Sequence, residues 1–485
     1  MTKHQTLFLL IFGFIMNFSY AQIPYNSRYF EAIFDEITIE IDVVYGNAQA
    51  LNPPYFNENN TSPQDLLMDI FQPIGDTLEY RPVILCAHSG AFLTGTKEAE
   101  DMVAFCDSMA HRGYVTASIA YRLGMSIISG PSSIRAVYRG LQDGRAAIRF
   151  LKENADVYGI DTNNIYLLGS SAGGYICQHN FFMDTEEDRP SASFTTPDLG
   201  CLDCSGNDFQ HSGKANGIIA LWGALEDTNL IVSTDTLPVF LAHGIADQTV
   251  PFGFGYAFGN EFFPPTYGSG PVAEQLENFG NTADTYFVEG EGHEFYGTDN
   301  GDWPVAPNQY WDTIFNKVEC FTYKIHKPQA GFSMIQMDNG VTLYDESTMA
   351  TSWYWDFGDG FFSAEQNPTH GYESAGEFTI IQFVSNYLIS WDTASISLET
   401  WVGMNENIKF TFEVFPNPAR DIISIKNISN TIKKMDLISL NGQILTSLTI
   451  EGDQIITLDV SMLKPGIYIF YDKNIGTRIK WIKLK

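Results

Sequence analysis

The sequence predicts an α/β domain built on a mostly parallel sheet, followed by two small all-β sandwich domains. Three observations carry that expectation. Between residues 81 and 321 short aliphatic runs alternate with amphipathic helical stretches. Just upstream, two segments alternate apolar and polar side chains. Past residue 326 the helical period stops, and short strands separated by turn dipeptides take over.

In chain order, IFDEITIEIDVVYGNA (33–48) and LLMDIFQP (66–73) have the period of two that marks half-buried strands, and they predict an antiparallel pair. VILCAH (83–88), YVTASIAY (114–121), IYLLGS (165–170), IIALWG (218–223), VFLAHG (239–244) and TYFVEG (285–290) are short runs suited to burial on both faces. Helices are expected near 98–111 and 133–154, with QYWDTIFNKVECF (309–321) closing the domain. Buried strands joined by helices imply a parallel sheet with right-handed crossovers. Residues 326–403, with SWYWDFGDG and GYESAGEFTI, read as a first sandwich. Residues 408–485, with turn signals Asn441-Gly442 and Pro465-Gly466, read as a second.

Composition restricts the function. The chain has 485 residues, 44% hydrophobic and 14% aromatic, enough to bury several cores. Its net charge of -31 repels phosphate backbones and anionic membranes, so no nucleic-acid partner is expected. The charge is uneven: residues from 405 onward carry +3 and the preceding part -34, which marks a different module at the C-terminus. Lys3 and His4, then LFLLIFGFIMNF (7–18) and Ser19-Tyr20-Ala21, predict a secretory signal peptide over 1–21. That apolar stretch is short for a bilayer span, and no transmembrane segment is expected in the mature protein. Export makes the six cysteines candidates for disulfides. Cys201 and Cys204 suggest a local loop bridge, since no second CxxC or histidine pair follows at zinc spacing. Cys86 and Cys177 lie in apolar runs and suit either buried thiols or bridges.

The chemistry centres on LLGSSAGGYI (167–176). In Gly169-Ser170-Ser171-Ala172-Gly173, Ser171 is the middle of G-x-S-x-G, between a strand and a helix-compatible stretch. Flanking glycines remove the Cβ atoms that would collide at a sharp turn, so a serine there can be held exposed. A serine hydroxyl needs a base, and the base needs an orienting carboxylate. His293, in Glu291-Gly292-His293 after one strand, is the candidate base; Asp247, after strand VFLAHG, is the candidate acid. Both loops fall at the carboxyl end of a parallel sheet, where such groups gather. Glu226 and Asp227 are the alternative acids, and His243 reads as structural. The developing oxyanion needs backbone donors. The tight loop AHSGAF (87–92) offers the N–H groups of Gly90 and Ala91, joined by Ala172 after the nucleophile. Neither a metal nor an organic cofactor is required.

With these motifs in order, residues 64 to about 320 resemble the α/β-hydrolase carboxylesterases. HSGAF stands where those enzymes carry H-G-G-G/A-F, YRLG (121–124) resembles their Y-R-L segment, and QDGRAAIRFLKENADVYGIDTNNIYLLGSSAGG matches their approach to the nucleophile. The resemblance implies a Ser171–His293–Asp247 triad and a structural Asp143. Ser89 replaces the usual first glycine of the oxyanion loop; it is expected to contact substrate or tighten the turn, and Phe92 to contact substrate. Two long connections, 184–216 and 252–284, depart from the family pattern and suit insertions that shape a pocket. The aromatics of the second could bind an aromatic or polymeric acyl group or pack the insertion onto the core.

WYWDFGDG (353–360) with NPTHGYESAGEFTI (367–380) resembles the PKD-type β-sandwich, a spacer or carbohydrate-adhesion module. Asp356 and Asp359 are too few for a calcium site and suit turn stabilisation. FEVFPNPARDIISI (412–425), DLISLNGQIL (436–445) and MLKPGIYIF (462–470) resemble the C-terminal sorting domain of the type IX secretion system, implying that machinery as a partner. The expected layout is a signal peptide (1–21), hydrolase (22–325), PKD-like sandwich (326–404) and sorting domain (405–485). The expected function is a secreted or cell-surface serine carboxylesterase acting on acetyl or feruloyl-type esters of polysaccharide or on polyesters. The alternatives are a noncatalytic glycan-binding adhesin and a prolyl-oligopeptidase-like serine peptidase.

Overall fold

The computed structural model describes residues 27–337, 339–400, 412–427, 433–439, 443–450, 455–472 and 478–484. The signal-peptide reading over 1–21 and the Asn441-Gly442 turn lie outside the described residues. Two units separate: a large one running to Tyr372 and again over Gly376–Glu399, and a small one of Glu373–Ala375 with the residues from Thr400 onward.

The chain opens with β1 (Ile37–Leu51) and β2 (Thr61–Pro73), paired antiparallel as their alternation implies. Next come β3 (Arg81–Ala87), α1 (Glu100–Ala110), β4 (Val115–Ala120), α2 (Gly130–Glu153), the one-turn α3 (Ala155–Tyr158), β5 (Ile160–Ser170) and α4 (Ala172–Phe182). Then follow β6 (Gly217–Leu221), β7 (Ala224–Leu225), β8 (Val239–Gly244), β9 (Phe254–Tyr256), β10 (Pro265–Gly268), α5 (Ser269–Asn278), β11 (Asp284–Val288) and α6 (Gln309–His326). Eight strands form one sheet in the order β1-β2-β4-β3-β5-β6-β8-β11. From β4 to β11 every pairing is parallel, and β2 runs antiparallel to both neighbours. This is the α/β-hydrolase architecture. The central strands are buried over most of their length because helices cover both faces, giving one apolar core on each side of the sheet. β7, β10 and β9 make a separate small antiparallel sheet.

α2 departs from a simple amphipathic reading. Arg135, Arg139, Arg145 and Arg149 are all buried. Three of them hold the 184–216 connection by its carbonyls and Asp203: Arg135 Nη2 donates to Pro197 O at 2.6 Å, Arg145 Nη1 to Asp203 at 2.9 Å and Arg149 Nη2 to Ser205 O at 2.7 Å, while Arg139 donates to Glu58 and to Gly124 O. Cys201 and Cys204 in that connection form a disulfide, while Cys86, Cys106 and Cys177 are buried thiols.

After α6 the large unit continues as two antiparallel sheets of three and four strands that begin at Phe332, packed as a sandwich on Trp355, Phe357, Tyr372 and Ile380. Asp356 and Asp359 accept from the N–H groups of Gly358 and Phe361 at 2.8 and 3.1 Å, so both carboxylates tie down the GDG turn. The sandwich joins the α/β domain through buried polar contacts: Asn386 Nδ2 donates to His326 O at 2.6 Å and Tyr29 OH to Leu388 O at 3.0 Å. The small unit, taken by itself, is another pair of antiparallel sheets, closed on Phe412, Ile423, Met435, Phe470 and Trp481.

Candidate active site

Ser171 sits between β5 and α4 with φ 53° and ψ -111°, a backbone that side-chain-bearing residues rarely adopt. The strained turn is held by packing that only glycine permits. A Cβ on Gly169 would lie 2.2 Å from Gly173 O, and one on Gly173 would lie 2.0 Å from Ala87 O. The Ser171 N–H donates to Leu221 O at 3.0 Å, which fixes the turn to β6.

Ser171, His293 and Asp247 meet in series. His293 Nε2 lies 2.8 Å from Ser171 Oγ, and His293 Nδ1 lies 2.7 Å from Asp247 Oδ2. The other carboxylate oxygen, Oδ1, accepts from the N–H groups of Thr249 and Val250 at 2.8 and 2.9 Å. Burial by itself would raise the Asp247 carboxyl. Hydrogen bonds from His243 and His293, the His293 charge and the Val250 N–H outweigh it and hold the group well below the usual carboxylate range. His243, read as structural, is wholly buried, with Nδ1 2.9 Å from Ser269 Oγ and Nε2 3.0 Å from Val250 O and 3.4 Å from Asp247 Oδ2.

The 88–95 loop faces the nucleophile. Gly90, Ala91 and Phe92 all have positive φ, at 110°, 55° and 58°. Leu93 and Thr94 return N–H bonds to Gly90 O, while the N–H groups of Gly90, Ala91 and Ala172 have no acceptor among the described residues. Tyr121, from the YRLG segment, braces this loop: its OH donates to His88 O at 2.9 Å and its ring stacks on His88 at 4.2 Å. Burial pushes His88 down to about 4, so it stays neutral. The adjacent Arg122 clamps Asp143 of α2 through its N–H at 2.7 Å and its guanidinium at 2.7 Å. Asp143 is therefore a buried strut between the loop and α2.

A cleft opens beside Ser171. Ala91, Phe92, Ala172, Tyr175, His179 and Val250 line it, with Met125, Ile134 and Val137 on one side and Phe258, Phe263 and Pro264–Thr266 on another. The 252–284 insertion thus shapes the cleft through its aromatics. The 184–216 connection does not: none of its residues lines the cleft, because the α2 arginines hold it against that helix. Ser89 also fails to reach the cleft as a substrate contact. It is 0% exposed, and its Oγ faces Gly301 without a hydrogen-bond partner, because the left-handed residues after it turn the chain away. Glu226, the alternative acid, lines the cleft instead of the His293 ring edge; its N–H donates to His179 Nε2 at 3.4 Å.

One anchor carried no sequence signal. The loop after His293 is tied to the first turn of α1: Tyr296 OH donates to Asp101 Oδ2 at 2.7 Å, the Asp101 N–H to Gly301 O at 2.9 Å and the Trp303 N–H to Glu100 at 2.8 Å. Such contacts join segments some 200 residues apart and leave no periodic trace.

Comparison with known proteins agrees with this architecture. The family model BD-FAE matches residues 68–224. The chain contains a BD-FAE domain. That esterase-like α/β-hydrolase domain is followed by a PKD domain matched over 334–386 and a secretion system C-terminal sorting domain matched over 413–482. The sorting domain marks the chain for secretion and export to the cell surface. Gut esterase 1 of Caenorhabditis briggsae is 34% identical over 110 residues, 22% of this chain and 19% of the relative. Carboxylesterase 3B of Mus musculus is 31% identical over 118 residues, 24% of this chain and 20% of the relative. The chain thus spans about a fifth of the length of these curated relatives. Among solved structures, the apo form of Thermogutta terrifontis esterase 2 aligns with 21% identity and a TM-score of 0.41, covering 59% of this chain and 94% of that one.

Proposed function

We propose that this protein is a secreted serine carboxylic-ester hydrolase working through an acyl-enzyme. Ser171 Oγ attacks the ester carbonyl while His293 Nε2 takes its proton; the carbonyl oxygen becomes an oxyanion against the N–H groups of Ala91, Ala172 and Gly90. Collapse breaks the bond to the alcohol, which leaves with the proton from His293. Water then enters by the same route, giving its proton to His293, and the acid is released with Ser171 restored. Asp247 keeps the Nδ1 proton in place and balances the imidazolium.

The observation that carries this reading is the unbroken series of 2.8 and 2.7 Å contacts from Ser171 through His293 to Asp247, at the mouth of a cleft whose nearby N–H groups are unspent. The apolar walls favour esters over charged substrates, and acetyl or feruloyl-type esters of polysaccharide, or polyesters, fit an exported enzyme. Hydrolysis of p-nitrophenyl acetate and butyrate by the full chain and by Ser171→Ala tests it. The wild type is expected to turn over both and the variant to fall to background; equal rates would refute the role of Ser171.

A further inference from the structure

The contact between His293 and Ser171 is spent during the proposed chemistry. Once Oγ has bonded to the carbonyl carbon, Nε2 must turn its new proton toward the leaving oxygen, and the serine no longer holds the ring. Asp247 holds it at Nδ1 alone, a single point about which an imidazole can swing. The backbone gives no help: among the described residues neither the N–H nor the C=O of His293 has a hydrogen-bond partner. Another support is needed at that moment.

Trp222, directly after β6, supplies one. It is fully buried, and its indole meets the His293 ring edge to face, with centroids 6.4 Å apart and planes at 65°. Phe295 and Tyr296 pack on the same indole at 5.1 and 4.6 Å, so three residues of the loop that carries the base rest on one side chain. Trp222 has φ 40°, a left-handed backbone that a bulky residue adopts only where its surroundings impose it. Two hydrogen bonds do so. Its N–H donates to Ala242 O at 2.6 Å, which ties the backbone to β8, and Nε1 donates to Ser170 Oγ at 2.9 Å, which fixes the indole. Ser170 is the buried residue immediately before the nucleophile, and its hydroxyl also interacts with that of Tyr296, which donates to Asp101 at 2.7 Å. The residue before Ser171 and the loop of His293 are therefore joined through one indole.

We propose that Trp222, held by Ser170, is a positioning residue for His293 that keeps Nε2 aimed at the leaving oxygen after Ser171 has attacked. This inference rests on the ester-hydrolase reading and adds to it the group that steers the second proton transfer. The two kinds of leaving group differ in what they ask of that transfer. p-Nitrophenolate departs as an anion near neutral pH, whereas an alkoxide must be protonated as it leaves. A loosened imidazole therefore harms alkyl esters more than p-nitrophenyl esters. An indole that only filled the core would harm both equally.

The test measures kcat/KM for p-nitrophenyl butyrate and for ethyl butyrate with the full chain, Trp222→Phe, Ser170→Ala and the double variant. Trp222→Phe keeps an aromatic ring and loses the indole N–H; Ser170→Ala keeps the indole and loses its acceptor. Each single variant is expected to raise the ratio of p-nitrophenyl to ethyl ester by about tenfold, part of what general acid catalysis contributes. The double variant should resemble the singles, because both delete one end of the same hydrogen bond. Each ratio comes from a single preparation, so a loss of folded enzyme cancels. A ratio unchanged in either single variant overturns the proposal, as does a double variant whose change equals the product of the two singles. Wild-type turnover of p-nitrophenyl butyrate without turnover of ethyl butyrate also overturns it, since no aimed proton would be there to lose. These outcomes leave the hydrolase reading standing; no turnover of either ester by the wild type defeats that reading itself.

Discussion

His293 Nδ1 lies 2.7 Å from Asp247 Oδ2, and the opposite carboxylate oxygen is held by two backbone N–H groups. The carboxylate therefore cannot rotate away from the ring, and the hydrogen bond fixes a proton on Nδ1, leaving Nε2 free to accept from Ser171. Asp247→Asn keeps the shape but offers an amide N–H that favours the wrong tautomer. We expect kcat on p-nitrophenyl butyrate to fall on the order of 10³–10⁴ with little change in KM. A variant within about tenfold of wild type would place the orienting acid elsewhere.

The turn at Ser171 depends on backbone approach as much as on the serine. Gly173→Ala would bring a Cβ to 2.0 Å from Ala87 O, an atom of the sheet that cannot yield as a side chain would. The expected loss is at least about 1–3 kcal/mol in urea unfolding, with activity falling alongside. A stability unchanged from wild type would mean that β3 and α4 can separate freely.

Asp143 and Arg122 form an ion pair at 2.7 Å with both side chains buried. Removing one partner strands the other charge, so Asp143→Ala should cost about 3–5 kcal/mol. Calorimetry would register it as a lowered Tm, and the loss should exceed that of removing the exposed pair partner Asp284 near Lys324.

Asp101 makes stability depend on pH. Burial, with the charges of Glu294 and Asp302, pushes its carboxyl up to about 8 against the hydrogen bonds from Tyr296 and the Met102 N–H. In the unfolded chain the group titrates near an ordinary value of about 3.9. Between these values the folded state holds a proton that the unfolded state has lost, so this contribution is full below about pH 4, declines as pH rises and levels off above about pH 8. Asp101→Asn removes the slope. The Tm of that variant, relative to wild type, should rise steadily from pH 5 to pH 8; a constant difference would show that Asp101 is ionised in the folded protein.

Much of this protein is legible from local pattern. Alternation in 33–48 and 66–73 gave the antiparallel pair β1 and β2, and six aliphatic runs gave the strands from β3 to β11 of the main sheet. α5 left no clear mark, because its first residues, Ser269-Gly270-Pro271, look like a turn. The α2 arginines would pass for a solvated face, yet Arg135 and Arg149 hold the 184–216 connection by its carbonyls. Hydrophobic period reports which side of an element is apolar; it does not say that a long polar side chain will be covered by a distant loop.

By itself the sequence determined the order of strands and helices, the glycine-flanked serine between β5 and α4, and the loops that carry Asp247 and His293. The tertiary structure decided which carboxylate touches the imidazole, since Ser171 and His293 are 122 residues apart and His293 and Asp247 are 46 apart. It also sent Ser89 inward, laid one insertion along the cleft and the other along α2, and left Glu226 facing the cavity. The reason is that a strand's residues record only their own burial, whereas the distances between loops are set by the order in which the strands pair across the sheet.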